Sequence, residues 1–120
     1  MMIRRSLFAA LLAPLISARA SLANISQKRR TYVLVHGAWH GGWCWKLVRD
    51  ELQDSGHKVF SPSLTGLGDR VHLRSPSINL TTHINDIVNL IKYEELEDII
   101  LVGHSSAGHV VSCVADRIGT

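Results

Sequence analysis

The sequence predicts an α/β fold whose core is a parallel β-sheet. Three short runs, residues 31–35, 58–61 and 99–102, are rich in β-branched and other apolar residues, which is typical of buried strands. Each run is followed by a segment with apolar residues at helical spacing, so strands and helices alternate along the chain. A glycine-rich loop also follows the first strand, and a Gly-x-Ser turn follows the third.

The first strand and the first helix are predicted from adjoining patterns. Residues 31–35 form a continuous run of Thr, Tyr, Val and Leu, as expected of a strand that is covered on both faces. A helix is predicted over residues 43–54, where apolar side chains recur near helical spacing at Trp43, Leu47, Val48 and Leu52. Gly56 then stands in the position that commonly ends a helix.

The second strand, residues 58–61, is ended by Pro62, and a long loop is predicted after it. Residues 63–80 are too polar and too rich in glycine to predict a regular element. Thr81 or Thr82 can cap the next helix. That helix is predicted to run to about residue 93, with one apolar face made of Ile84, Ile87, Val88 and Ile91.

Residues 99–102 are predicted to form the third strand, and residues 106–117 the helix after it. The third strand is apolar on both faces, as interior strands are, and no later segment is predicted to cover its outer edge. The sequence therefore predicts that these strands belong to a larger sheet.

The first 23 residues have the composition of a cleavable export signal. Arg4 and Arg5 form a basic head, residues 7–16 an apolar run, and residues 18–20 a small-x-small cleavage site, with residues 21–23 as an alternative. About ten apolar residues are too few to span a bilayer, so no stable membrane anchor is predicted. The arginine pair resembles a twin-arginine signal. We expect export to the periplasm or secretion, or a cytoplasmic protein if the leader is not used.

Charge gives no support to a nucleic-acid partner. The chain has 13 basic and 10 acidic residues, but from Thr31 onward it has seven basic and ten acidic ones. The basic excess therefore belongs to the leader and to residues 24–30, which we interpret as a linker. Residues 31–120, interpreted as one domain, keep no basic stripe with interleaved aromatic residues.

Two cysteines, Cys44 and Cys113, fall within this domain. Export would permit a disulfide between them, and the alternative interpretation is a pair of small, buried apolar residues. Their spacing matches no zinc-binding pattern.

The turn after the third strand predicts a nucleophilic serine at Ser105. A sharp strand-to-helix turn exposes a serine hydroxyl but strains its backbone, so the residues two positions to either side must be very small. Gly103 and Ala107 meet this requirement, although Ala107 is one methyl larger than the glycine usual at its position. Ser106 is the competing nucleophile, but His104 is too large for the equivalent tight position. A Gly-x-Ser turn without chemistry is the remaining interpretation.

The loop after the first strand predicts the second part of an active site. It consists of His36, Gly37, Ala38 and Trp39, and the backbone N–H groups of Ala38 and Ser106 can converge on one oxygen. His36 and His40 also have the i, i+4 spacing of a metal-binding pair, but such a pair needs a helix, which the surrounding glycines disfavour. No metal site is predicted.

Residues 31–44, 66–72 and 99–108 together resemble the α/β-hydrolase superfamily, most of all small esterases related to plant methylesterases and hydroxynitrile lyases. The resemblance covers about residues 31–117 and implies a three-layer α/β-hydrolase fold. It implies Ser105 as the catalytic nucleophile, the N–H groups of Ala38 and Ser106 as the oxyanion hole, a small ester-like substrate, and no metal or organic cofactor. The residues that would support the turn and the loop are His36, Gly37, Gly103, His104, Ala107 and Gly108.

The chain departs from the family pattern after the nucleophile. The family's catalytic acid and histidine follow the serine on loops after later strands. Here His109 and Asp116 are the only histidine and acidic residue after Ser105, and both lie on the same predicted helix, where neither can complete a triad. We therefore expect the N-terminal portion of a hydrolase domain, with about three parallel strands and flanking helices.

Three functional hypotheses follow from the sequence. The first is a serine-dependent carboxylic-ester hydrolase that acts through an acyl group on Ser105 but is inactive as encoded, because the acid and the histidine are missing. The second is a non-catalytic, truncated fragment. The third is a lyase of the hydroxynitrile-lyase type, which would use the same serine for proton transfer. The sequence does not separate ester from lyase chemistry, and it predicts no oligomeric state.

Overall fold

The computed structural model describes residues 27–119 and shows a three-stranded parallel sheet with flanking helices. The strands are β1, Thr31–Val35, β2, Lys58–Phe60, and β3, Ile99–Gly103, in the spatial order β2-β1-β3. The predicted α/β fold with about three parallel strands is confirmed. The export signal predicted over residues 1–23 lies outside the described residues, as do residues 24–26 of the predicted linker.

Three α-helices accompany the strands: α1, Lys46–Asp54, α2, Leu80–Tyr93, and α3, Ala107–Ile118. Two short 3-10 helices, Gly42–Trp45 and Gly68–Leu73, complete the described elements. Within residues 27–119, no helix is long and apolar enough to cross a membrane.

The two 3-10 helices correct two predictions. The helix predicted over residues 43–54 begins as 3-10 structure and becomes α-helical only at Lys46. Gly42 explains this tight start, because a Cβ there would lie 2.0 Å from the carbonyl oxygen of Ser61 and only glycine allows the close approach. The loop predicted over residues 63–80 contains the second 3-10 helix, which begins at Gly68 with a φ of +54°.

The N-terminus of α2 also differs from the prediction. Asn79, rather than Thr81 or Thr82, caps the helix, since its side-chain oxygen accepts a hydrogen bond from the Thr82 backbone N–H at 3.2 Å. Thr82 completes a capping box, because its hydroxyl accepts from the Asn79 N–H at 3.2 Å. The prediction correctly placed Thr82 in the cap of α2. It was wrong in making a threonine the N-cap residue, because Thr82 is the third residue of the helix and Asn79 is the N-cap.

The core lies between the central strand and helices α2 and α3. Val33 and Val35 of β1 are fully buried in one cluster with the apolar faces of the two helices. The predicted apolar face of α2 is confirmed, with Val88 half-buried beside three buried isoleucines. The other buried members of the cluster are Leu64, Ile84, Ile87, Ile91, Ala107, Val110 and Val114.

Helix α1 contributes much less to this core than its apolar spacing suggests. Leu47 is 83% exposed, Trp43 is 62% exposed, and Val48 is also exposed, while no residue of α1 is buried. The helical spacing of these apolar side chains therefore does not correspond to burial within residues 27–119. Helix α1 packs beside the short strand β2.

The sheet places the ends of β1 and β3 next to each other. Val35, the last residue of β1, pairs with Gly103, the last residue of β3. The His104 N–H then donates to the Val35 carbonyl at 3.1 Å. Because both strands are parallel and end at one level, the loops that follow them meet at the same edge of the sheet.

Candidate active site

Ser105 lies at the turn between β3 and α3 with a left-handed backbone. Its φ is +57°, a region that non-glycine residues seldom adopt and that costs about 1–3 kcal/mol. The side chain is exposed, as a nucleophile requires. A Cβ at Gly103 would lie 2.9 Å from the carbonyl oxygen of Ala107, so the turn closes only around a glycine.

The loop after β1 packs directly against this turn. A Cβ at Gly37 would lie 2.9 Å from the carbonyl oxygen of His104 and 3.0 Å from the Cβ of Ser105. Both contacts are too short for any side chain at position 37. The predicted glycine-rich loop and the predicted serine turn are thus brought together by the fold.

The two N–H groups predicted to bind an oxyanion lie on these two neighbouring segments. The Ala38 N–H donates to the side-chain oxygen of Ser106 at 2.9 Å. Within residues 27–119, the Ser106 N–H has no hydrogen-bond acceptor. Trp39, the next residue in the loop, is left-handed with a φ of +65° and is exposed. Two backbone donors beside an exposed serine are suited to a developing oxyanion.

His36 is fully buried and joins two loops. Its Nδ1 lies 2.8 Å from the Gly37 carbonyl, and its Nε2 accepts the Leu64 N–H at 3.0 Å. Since a carbonyl accepts and an N–H donates, these partners assign the proton of the neutral ring to Nδ1. Burial lowers the pKa of His36 from its ordinary value of 6.5. His36 therefore acts as a neutral link between the loops after β1 and β2.

The alternative interpretation of His36 and His40 as a metal-binding pair lacks a third ligand within residues 27–119. Both nitrogens of His36 are occupied, and Nδ1 of His40 lies 3.0 Å from the Ala38 carbonyl. Among the described residues, no group of three or more histidine, cysteine or acidic side chains is placed to hold a metal ion.

The loop after β2 is held by Asp86, which the sequence did not single out. The Thr65 backbone N–H donates to one carboxylate oxygen of Asp86 at 2.7 Å, and the Thr65 hydroxyl donates to the other at 2.6 Å. Arg70 forms an ion pair with Asp86 at 3.7 Å and donates to the Ser63 carbonyl at 3.2 Å. The only sequence signal for this network was the pair of charged residues, Asp69 and Arg70, at the end of the glycine-rich segment 65–70.

Ser63 connects the same loop to the first 3-10 helix. Its side-chain oxygen accepts the Gly42 N–H at 2.8 Å, and its hydroxyl donates to Asp69. This hydrogen bond is the main reason that the pKa of Asp69 lies below its ordinary value. The segments after β1 and β2 are therefore tied to each other at both His36 and Ser63.

A cavity of about 410 Å³ opens beside the proposed oxyanion donors. Its wall is mainly apolar, and His83, whose Nε2 lies 3.0 Å from the Thr65 carbonyl, is one of its polar members. A larger cavity of about 510 Å³ lies near Arg49 and Leu90 and contains none of the predicted site residues. The residues lining the smaller cavity include Ala38, Leu64, Leu67, Leu80, Ser106, His109 and Val110.

No base or acid is placed against Ser105 within the described part of the chain. Neither a histidine nor a carboxylate is hydrogen-bonded to the Ser105 hydroxyl within residues 27–119. His109 lies in the first turn of α3 and lines the cavity, and Asp116 is exposed near the other end of that helix. The arrangement thus places an exposed serine hydroxyl beside two backbone N–H groups.

The remaining predicted residues occupy distinct places. His104 is exposed, and its ring contacts those of His40 and Trp45 at centroid distances of 6.1 and 6.4 Å. A Cβ at Gly108 would meet no heavy atom within 4 Å, so the fold imposes no steric need for glycine there. Cys44 and Cys113 are both free thiols of intermediate burial, and burial raises the pKa of Cys44.

Comparison with known proteins agrees with this architecture. A model of the Alpha/beta hydrolase family matches residues 32–120, which is most of the chain. The chain belongs to the alpha/beta hydrolase family. The family predicted from the three sequence segments is confirmed, and so is the esterase branch.

Individual relatives of this alpha/beta hydrolase are esterases. It is 53% identical over 87 residues to a carbendazim hydrolyzing esterase from Nocardioides sp., a match that covers 72% of this chain and 36% of that protein. It is 33% identical over 105 residues to methylesterase 3 of Arabidopsis thaliana, which covers 78% of this chain and 36% of the relative. The chain therefore spans about a third of the length of these relatives.

A solved structure of an alpha/beta-hydrolase is also similar to this chain. An extracellular alpha/beta-hydrolase from a Paenibacillus species, described as sharing structural and functional homology with tobacco salicylic acid binding protein 2, superposes with a TM-score of 0.69. The sequence identity is 31%, over 75% of this chain and 36% of the solved chain.

Proposed function

We propose that this chain carries the nucleophile and the oxyanion hole of a carboxylic-ester hydrolase. One observation carries the proposal: Ser105 is exposed on a left-handed strand-to-helix turn against which the loop carrying the Ala38 N–H packs. Exposure makes the hydroxyl available, and the neighbouring donors can stabilise the charge that an attacked carbonyl develops.

The proposed reaction is acyl transfer through Ser105. Its Oγ attacks the ester carbonyl and loses its proton to a base, which forms a tetrahedral oxyanion facing the N–H groups of Ala38 and Ser106. Collapse breaks the bond to the alkoxy group, which takes up the proton and leaves as an alcohol. Water then releases the acid from Ser105. Each oxyanion donor can contribute about 2.7–4 kcal/mol to the lowering of the barrier.

The proposed substrate is a small ester. The cavity of about 410 Å³ beside Ala38 and Ser106 has a mainly apolar wall, which suits the acyl or alkoxy group of a small, uncharged molecule. The printed names of the relatives, a carbendazim hydrolyzing esterase and a methylesterase, support the same class of substrate.

The test supplies a base from solution, because none lies against Ser105 within residues 27–119. A chromogenic short-chain ester is offered to the chain with and without free imidazole, because a general base contributes about 10²–10⁴-fold to such a reaction. We expect little turnover without imidazole and about a tenfold increase with it. Ser105→Ala should abolish the increase that exceeds the reaction of imidazole alone, and mass spectrometry should find the acyl group on Ser105.

Ser112→Ala is the matched control, because it removes another serine hydroxyl on α3. The Ser112 hydroxyl is exposed and donates to the Gly108 carbonyl at 2.8 Å, away from the cavity wall. This variant should react like the unsubstituted chain. Equal rates for the unsubstituted chain and Ser105→Ala, with no acyl adduct, would refute the proposal.

A further inference from the structure

The side chain of Ser106 points away from the helix that it precedes. Ser106 holds the N-cap position of α3, where a serine usually accepts a hydrogen bond from a backbone N–H of the first turn. No such bond forms here. The side-chain oxygen instead accepts the Ala38 N–H at 2.9 Å, from the loop after β1. The first-turn N–H groups of Gly108 and His109 donate instead to the Ser105 and Ser106 carbonyls, so the Ser106 hydroxyl is left to the oxyanion loop.

We propose that the Ser106 hydroxyl is a placeholder in the oxyanion hole. It holds the Ala38 N–H while no ligand is bound, and it gives this N–H up to the carbonyl oxygen of the substrate. The inference rests on the proposed function, since it assigns a second role to a residue of the same site. Ser106 is a positioning residue in this step, distinct from its backbone N–H as a donor.

The geometry requires an exchange of partners. A backbone N–H carries one hydrogen, so the Ala38 N–H cannot bond the Ser106 oxygen and a substrate oxygen equally well. Both residues line the same cavity, so an incoming carbonyl oxygen and the hydroxyl compete for the same donor. The hydroxyl must therefore move before the oxyanion hole can act with both donors.

The Ser106 side chain is free to make this movement. Ser106 is exposed, and within residues 27–119 its hydroxyl has no hydrogen-bond partner besides Ala38. Rotation about χ1 leads to another staggered well without any change in the backbone. Because Ser106 is exposed, its hydroxyl can bond to water in a new well, which compensates for the bond that it has lost.

Amide hydrogen exchange of Ala38, measured by NMR, tests the placeholder directly. In the ligand-free chain, Ser106→Ala should make the Ala38 amide exchange about three- to tenfold faster, the effect of losing one ordinary hydrogen bond. Ser106→Thr restores the hydroxyl and should bring the rate back to within about twofold. The His104 amide, bonded to Val35, should keep its rate in both variants. Ser112→Ala should leave both amides unchanged.

Phenylboronic acid, which forms a tetrahedral adduct with a serine hydroxyl, is the ligand probe. The serine oxygen adds to boron and its proton goes to the buffer, which leaves a boronate oxygen facing the oxyanion donors. In Ser106→Ala, the probe should restore slow exchange of the Ala38 amide, because the boronate oxygen replaces the missing hydroxyl. In Ser105→Ala, the probe should have no effect.

Each outcome decides the inference. Unchanged exchange of the Ala38 amide in ligand-free Ser106→Ala would overturn it, whatever the result with esters. Failure of the probe to protect Ala38 in Ser106→Ala would show that a ligand oxygen does not bind the Ala38 N–H, and would overturn the exchange step. If ester hydrolysis fails but both exchange results appear, the proposed function is wrong and the placeholder stands.

Discussion

Ser105 combines a rare backbone conformation with an exposed side chain. Its φ of +57° is tolerated because Gly103 and Ala107 leave room for the turn, and because Gly37 lets the neighbouring loop approach closely. The sequence predicted the first requirement from the spacing of the small residues around the serine. It did not predict the tight packing of Gly37, since that contact joins segments that are far apart in the chain.

Two glycines of the site should respond in opposite ways to the same substitution. Gly37→Ala places a Cβ 2.9 Å from a backbone oxygen, which cannot give way easily, so the free energy of unfolding should fall by about 1–3 kcal/mol. Gly108→Ala meets open space inside α3, where alanine is favoured over glycine by about 1 kcal/mol, so stability should rise.

Urea unfolding of the two variants and of the unsubstituted chain measures both effects. A stability of Gly37→Ala equal to that of Gly108→Ala would contradict the close approach of the β1 loop to the serine turn. The comparison is matched, because the same methyl group is added on both occasions.

Some residues of the site carried no recognisable sequence signal. Asp86 holds Thr65 through two hydrogen bonds, yet the two residues stand 21 positions apart, one on a helix and one in a loop. The Asn79 cap was missed for a related reason, because Thr82 offered an equally good capping side chain nearby. Short patterns predict the turn at Ser105, whereas partners across loops depend on the completed fold.

At the scale of the elements, α2 and α1 show when helical spacing predicts burial. Both helices have an apolar stripe, but only that of α2 meets a partner, the cluster formed with β1 and α3. The stripe of α1 is left exposed within residues 27–119. Periodicity therefore predicted the existence of both helices, while the burial of each depended on what packs against it.

Truncating an apolar side chain should lower the free energy of unfolding much more in α2 than in α1. Ile87 of α2 is fully buried, so Ile87→Ala should lower the free energy of unfolding by about 2–5 kcal/mol. Leu47→Ala removes a similar volume from α1, but Leu47 is 83% exposed and the change should stay within about 0.5 kcal/mol. Chemical denaturation gives both values, and a larger loss for Leu47→Ala would show that α1 has a buried contact.

The two elements that the sequence did not predict are both short 3-10 helices. The 3-10 helices Gly42–Trp45 and Gly68–Leu73 have too few residues to display a period, and their glycines favour a loop in any local prediction. Their form is fixed by close backbone contacts, such as that of Gly42 with Ser61. The strands were predictable from their apolar, β-branched runs, and the longer helices from apolar patterns that extend over several turns.

At the scale of the whole molecule, His36 links the loops after β1 and β2 through both of its ring nitrogens. Burial lowers the pKa of His36 below 6.5 in the folded chain, so the unfolded chain binds a proton more readily as the pH falls. The stabilising contribution of the neutral ring is complete above pH 6.5 and is lost as the pH falls through the folded pKa.

Unfolding by urea should therefore become easier below pH 6.5, and more steeply for the unsubstituted chain than for His36→Gln. Glutamine offers one donor and one acceptor like the neutral imidazole but does not titrate. The measurement is the free energy of unfolding at pH 5 and pH 7 for both proteins. Equal pH dependence in the two would mean that His36 does not couple protonation to folding.

The paired ends of β1 and β3 also have a consequence for incorrect strand pairing in this chain. A slip of one residue between the strands would shift Ala38 by about 3.3 Å relative to Ser105 and turn Val33 and Val35 to the opposite face. A misplacement of about 1 Å already can cost about 100-fold in rate. A mispaired chain would thus lose its buried core and the proposed alignment of Ala38 with Ser105 together, so the reaction proposed at Ser105 would depend on correct strand pairing.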